Sequence, residues 1–485
     1  MVHSKKALGK HWAVSTGNIL AARAAQKILL RGGSAVDAAI TADAVMGVVE
    51  PMATSIGGDV LAIITLAGED PVAYNGTGRS PALLTSKLVS ELPTQRIPER
   101  HPYSITTPGA VKGWHDLHQR YGKLDWEDLF IDAIHYAQEG FVVAEVAARE
   151  WKLFDFVLHT DPHCAQLYKA GHAPQAGTIF KNPELARTLR RIAHEGWQAF
   201  YQGEIPQRTE AAMIQVNGLL RADDFERHQG YFCKPLCLTH ADYAFYQCPP
   251  NTHGCAILDA LANTSWRSSS CATSDTLALI DATQAALRNA AKTVHDSGGN
   301  TVCTVIVDND GNAITLMSSI FKRFGSGYVV PGAGFVLQNR GFGFAEVGHI
   351  NEAGPNKRPY HTVVPGAVTK SGLFHLGLGV VGGLMQPQGQ IQIMHQLFRE
   401  GTPLDEALAH PRWRIEGDHL VALEPTMDSS LQLKIRQAGY KEPPKGVGDL
   451  AGRSDFGGAQ AIQRLANNEL WAVSDHRKDG AALAS

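Results

Sequence analysis

Apolar residues between Thr16 and Glu50 recur at helical spacing, with Ile19, Leu20, Ala22, Ile28 and Leu29 on one face. Gly32-Gly33 supplies a stop, Ser34 a new cap, and residues 35–49 an alanine-rich second helix that Pro51 ends. The pattern then changes to short apolar runs. VLAIITL at 60–66 and VAY at 72–74, parted by Gly68, Glu69 and Asp70, predict a hairpin. Residues 106–200 return to helical spacing near 110–121, 127–139, 143–158 and 183–195. The polar stretch SWRSSSCATS at 265–274 predicts a loop, with a helix following at 277–294. From 301 onward β-branched residues dominate. TVCTVIV at 301–307, the turn DNDGN and a second strand at 313–317 predict a tight hairpin. Further strands are predicted at 360–368, 373–381, 420–424 and 459–463, and no fixed-period repeat is present.

Composition narrows the classes of function. The 485 residues carry 44 Lys+Arg against 47 Asp+Glu, a net charge of −3, and only 19% are charged. Nucleic acid and anionic membranes call for a basic surplus, so neither is an expected partner. With 44% hydrophobic residues, 48 Gly and 24 Pro, the chain can bury a large core. The best membrane candidate, residues 38–49, is short of the roughly 18 apolar residues required and contains Asp43. MVHSKKALGK is followed by no apolar signal region, which makes the cytoplasm the expected location. Seven cysteines, an odd number with no CxxC pair, read as reduced thiols.

Thr301 alone is an ordinary strand threonine, with Thr304 three places on. Its company changes that reading. GGNTVCTVIVDNDGNAITLMSS is followed in order by FGSGYVVPGAGFVLQNRGFGF, PNKRPYHTVVPGAV and VVGGLMQPQGQIQI. ILLRGGSAVDAAITADAVMGVVEPMATSIGGD and TTPGAVKGWHDLHQRYGKL precede them, and FGGAQAI and SDHRKDGAA close the chain. From about residue 11 onward the succession resembles the γ-glutamyltransferase family of N-terminal-nucleophile (Ntn) hydrolases.

The resemblance implies a precursor that cuts itself between Asn300 and Thr301, giving a large chain 1–300 and a small chain 301–485 in one intertwined unit. Thr301 would then be the nucleophile, its freed α-amine a base whose ordinary pKa is about 7.7–8.0. It places oxyanion donors at Gly382 and Gly383, where a missing side chain lets backbone N–H groups approach the reacting oxygen. The alternative is a plain glycine turn after the strand at 373–381. Ser319 occupies the position of a hydroxyl that supports the nucleophile; otherwise it is a solvent-facing strand serine. His361 and Thr362 match a serine pair lining the acyl pocket, although a single His among 21 is more often structural.

The chain departs from the family where an α-amino acid would be held. Thr77 stands at the carboxylate-binding arginine, with Arg79 two residues on; Gly343 stands at the ammonium-binding aspartate, Arg340 at a glutamine and Phe321 at an asparagine. Val302 replaces a second threonine, and the segment from Pro249 to Asn300 is shorter than is usual. A buried ammonium without its carboxylate is costly, which argues for an acyl group lacking an amine. Arg79 and Arg340 are candidate clamps for a substrate carboxylate, against a bland role in surface solvation.

The sequence therefore predicts an α+β protein, a four-layer αββα Ntn-hydrolase sandwich. Its expected function is hydrolysis of a small carboxylate-bearing amide, oxamate-like, through acyl-Thr301. A γ-glutamyltransferase or glutathione hydrolase, and an uncleaved silent scaffold, stand as alternatives. No cofactor or metal is expected: His115/His118 and His159/His163 lack a third ligand, and the GxG spacings at 325–327 and 332–334 open no helix. Cys303, on the same strand face as Thr301, reads as packing rather than as a rival nucleophile. The small-molecule substrate and the two chains of one precursor are the expected partners, with a homo-oligomer left open.

Overall fold

Two fully antiparallel seven-stranded sheets form the centre of the computed structural model, which describes residues 5–168, 171–264, 272–293, 300–443 and 456–485. One runs Lys5–Gly9, Leu470–Ser474, Gly458–Arg464, Leu373–Val381, Gly366–Lys370, Tyr243–Gln247, Leu236–His240. The other runs Ala481–Ala484, Ala13–Thr16, Asn300–Val307, Ala313–Phe321, Asp59–Thr65, Val72–Asn75, Tyr231–Cys233. Each sheet thus interleaves strands from both sides of residue 301.

Burial sorts the side chains into three apolar layers. Cys303, Val305, Val307, Met317 and Ala367 meet between the sheets. Outward residues of the second sheet, including Val60, Ile306 and Leu316, pack on the helices Ile19–Leu30, Ala35–Val49 and Ala110–Tyr121. Outward residues of the first sheet, including Leu376, Leu378 and Val380, pack on Gly254–Asn263 and Met385–Phe398. The order is helix, sheet, sheet, helix, the αββα sandwich the sequence implied. Gly377 and Gly379 let the sheets approach closely: a Cβ on Gly379 would lie 2.4 Å from Cys303 Sγ, and one on Gly377 2.6 Å from Val305 Cγ1.

Several elements differ from the expectation. Thr16 ends the buried strand Ala13–Thr16 rather than opening a helix, and Asn18 caps the helix that follows. The predicted helices at 127–139 and 143–158 each divide into an α-helix and a 3₁₀ turn, at Trp126–Phe130 and Asp155–His159. The predicted strand at 360–368 begins only at Gly366. Pro365 has no N–H for a ladder, and the amides before it go elsewhere: His361 to Asn251 O, Val363 to His361 Nδ1 and Val364 to Gln386 Oε1. Of the predicted loop at 265–274, residues 265–271 lie outside the described residues, and the rest opens the helix Ala272–Thr293.

Candidate active site

Thr301 sits where the central hairpin is irregular. Asn300 pairs with Phe321 and Val302 with Ser318, so Thr301 faces two residues, Ser319 and Ile320, across a bulge. Phe321, opposite Asn300, is held at φ +77°, a left-handed conformation that a bulky residue adopts only under constraint. The constrained residue thus lies on the strand facing the expected scissile bond. The Thr301 side chain is buried, and its Oγ1 accepts a 2.6 Å hydrogen bond from Gln386 Nε2.

Gln386 belongs to the first turn of Met385–Phe398, and its Oε1 accepts the Val364 N–H at 3.1 Å. That bond ties the segment containing His361 and Thr362 to the nucleophile. Arg340, in a 3₁₀ turn and fully buried, reaches the same region from a different loop. One guanidinium nitrogen donates to Ser319 Oγ at 2.9 Å and another to Thr362 Oγ1 at 3.3 Å, while the group lies 4.1 Å from the centre of the Phe321 ring. Among the described residues no carboxylate comes within ion-pair distance of it. Burial presses its pKa down to about 9, with Asp59 opposing, so it stays cationic at neutral pH.

His361 is placed beside this cluster, with both ring nitrogens directed to protein groups. Nδ1 accepts the Val363 N–H at 3.2 Å, which leaves the proton on Nε2, 3.3 Å from Asp59 Oδ2. Burial, then the charge of Arg340, holds the imidazole down to about 4, so it is neutral near pH 7. Asp59 Oδ1 receives the Gly78 N–H at 2.8 Å and Gln338 Nε2 at 2.9 Å.

Gly382 and Gly383 form the turn between Leu373–Val381 and Met385–Phe398, with φ of +112° and +64°. Their carbonyls accept the first amides of the helix, at Met385 and Gln386, and their own N–H groups donate to no described residue. Unspent amides at a helix N-terminus favour an anion. Thr301, Ser319, Arg340 and Thr362 are thus brought together, with the glycine turn carried on the helix that supplies Gln386. Arg79 is not part of this group: it is exposed and donates to Asn356 O at 3.0 Å. Cys303 is buried between the sheets, which pushes its thiol far above the ordinary range. His115 and His118 pack on Trp126, and among the described residues no group of three or more His, Cys, Asp or Glu could hold a metal.

Sequence reasoning missed Gln386 and Asp59. Both lie in quoted motifs, LMQPQG and SIGGD, but a glutamine carries no titration signal and the aspartate follows two glycines that read as a turn.

Comparison with known proteins identifies the family. The γ-glutamyltranspeptidase family model matches residues 21–296 and 271–485. The oxamate amidohydrolase proenzyme of Klebsiella pneumoniae is 30% identical over 96% of each chain. The glutathione hydrolase-like YwrD proenzyme of Bacillus subtilis is 29% identical over 99% of each. The crystal structure of cephalosporin acylase from Bacillus halodurans superposes with a TM-score of 0.93 at 29% identity, covering 99% of this chain and 97% of that one. This chain belongs to the γ-glutamyltranspeptidase family of Ntn hydrolases and is a hydrolase.

Proposed function

We propose that the protein is a self-processing amidohydrolase in which Thr301, freed by cleavage after Asn300, attacks the amide of a small carboxylate-bearing substrate of the oxamate type. The observation that carries this reading is Arg340: a fully buried guanidinium beside Thr362 and Ser319, with no carboxylate at ion-pair distance among the described residues. A buried cation left without an anion is costly, and a substrate carboxylate would relieve that cost through a charge-assisted hydrogen bond. Arg340 rather than Arg79 is therefore the clamp, and His361 faces Asp59 at 3.3 Å. The name of the Klebsiella relative supports the same class.

In the reaction, the Thr301 α-amine takes the hydroxyl proton as Oγ1 attacks the amide carbon. The N–H groups of Gly382 and Gly383 receive the oxyanion, ammonia leaves, and water hydrolyses the acyl-threonine ester. The γ-glutamyl reading draws on the Bacillus subtilis relative. It needs an acid for the substrate ammonium, and Asp59, the acid that acts electrostatically on Arg340, spends Oδ1 on Gly78 and Gln338 and has Oδ2 facing His361 Nε2 at 3.3 Å.

The test compares ammonia release from oxamate with amine release from a γ-glutamyl anilide, in wild type and Arg340→Met. The proposal predicts a preference for oxamate that Arg340→Met abolishes mainly through KM. A clear preference for the anilide would overturn the substrate class.

A further inference from the structure

Beside the nucleophile lies a small cavity lined by Thr301 and Val302 together with Gly17, Glu50, Gln460 and Lys478. A carboxylate and an ammonium in such a place need an explanation, because charged groups are seldom buried without a task. Lys478 has its partner: Nζ donates to Glu150 Oε1 at 2.8 Å, and Arg323 lies 2.9 Å from Glu150 Oε2. Glu50, which closes the helix Ala35–Val49, receives among the described residues only the neutral Asn18 Nδ2, at 3.2 Å. The cavity thus holds one acid whose hydrogen bond comes from an amide, beside the residue whose backbone nitrogen becomes an amine on cleavage.

We propose that Glu50 is the buried acid that faces the α-amino group of Thr301 after processing and stabilises the ammonium formed when that amine takes the hydroxyl proton. This rests on the reading of Thr301 as an N-terminal nucleophile. Glu50 then plays the third part in a nucleophile, base and orienting-acid arrangement, with the first two in one residue. It is a positioning residue, because it acts through the amine and not on the substrate. Proton balance is simple: the hydroxyl proton moves to the amine during attack and leaves with the ammonia, and Glu50 stays ionised throughout.

The electrostatics suit the task. Burial lifts the Glu50 carboxyl to about 7; Lys478 opposes, Glu150 and Asp479 add to the rise, and Asn18 opposes. An amine with an ordinary value of about 7.7–8.0 and this carboxyl would titrate as a pair, and the competent form has the acid ionised and the amine neutral. Activity should therefore rise with pH through the neutral range. Removing the carboxylate lowers the amine pKa, by about one unit or more for an opposite charge within contact range.

The test is Glu50→Gln, first checked by intact mass for cleavage into two chains and then assayed on oxamate from pH 5 to 9. The expected result is a cut enzyme with kcat at least about tenfold lower, KM within about twofold, and the acid limb of kcat/KM moved to lower pH. Glu50→Asp should restore much of the limb. In parallel, NMR titration of the processed enzyme labelled with ¹⁵N-threonine reads the Thr301 amine without any substrate; Glu50→Gln should shift its midpoint down, and Glu50→Asp should bring it most of the way back. A cut Glu50→Gln enzyme with wild-type kcat, limb and amine midpoint would overturn the proposal, as would a Glu50→Gln chain that folds but stays uncut, which would put Glu50 in processing. An uncut wild type would instead remove the Thr301 reading on which this depends.

Discussion

Gln386 Nε2 donates to Thr301 Oγ1 across 2.6 Å, and its Oε1 accepts the Val364 N–H at 3.1 Å. The amide fixes which way the hydroxyl can point: an oxygen already accepting one hydrogen bond directs its own proton elsewhere, toward a base. Gln386→Glu keeps the acceptor for Val364 but loses the donor. It should lower kcat by about tenfold or more, at a cost of about 1–3 kcal/mol, with little change in KM. Steady-state kinetics on cut enzyme checks this, and unchanged kcat would contradict it.

The glycine turn gives a sharper case. Gly382 is held at φ +112°, and a Cβ there would lie 2.9 Å from the Gly457 Cα. Gly382→Ala is disfavoured both by conformation and by contact, and the turn must move to admit it. Loss of an oxyanion donor typically costs about 10²–10³ in kcat. The variant should lose activity on that scale, and activity within a few-fold of wild type would show that these amides do not hold the oxyanion.

Arg340 bonds two hydroxyls with two different nitrogens while lying over the Phe321 ring. A lysine ammonium is a compact charge that cannot reproduce that planar fork. Arg340→Lys should therefore recover little of the oxamate kcat/KM lost in Arg340→Met, despite keeping the charge. Recovery to near wild type would mean that only net charge matters there.

Stability should depend on pH through His361. Burial and Arg340 hold its folded pKa near 4, against an ordinary value of about 6.5. The unfolded chain binds a proton between those values and the folded chain does not, so this contribution is present above about pH 6.5 and lost as pH falls toward 4. Asp43, which burial raises to about 6, acts oppositely, losing stability as pH rises from 3.8 toward 6. The difference between an uncut Thr301→Ala chain and its His361→Asn derivative isolates the histidine. Denaturant unfolding should show that difference shrinking in the parent's disfavour from pH 7 to pH 5; a pH-independent difference would contradict the assignment.

The central hairpin was legible because its pattern is simple, whereas the layer order came with the family resemblance. Ala110–Tyr121, Pro183–Glu195 and Leu373–Val381 fall where spacing and turn residues place them. The helix Met385–Phe398 was hidden because its polarity is inverted. Gln386, Gln388, Gln390 and Gln392 are all buried, bonded to Thr301 Oγ1, Ile415 O, Val364 O and Trp413 O, so no solvent face marks the period. Thr301, Ser319 and the glycine turn came from resemblance to a family, and geometry then brought them together. Glu50 and Asp59 were illegible for another reason: what they face lies far along the chain, Thr301 across a shared cavity and His361 at 3.3 Å, and only the fold joins them.

The central claim is that Thr301 frees itself. Intact mass under denaturing conditions, taken on freshly purified wild type beside Thr301→Ala, tests it most directly. The account predicts two wild-type species dividing between Asn300 and Thr301, and a single uncut chain for the variant. A wild-type chain that remains whole while hydrolysing amides would contradict it.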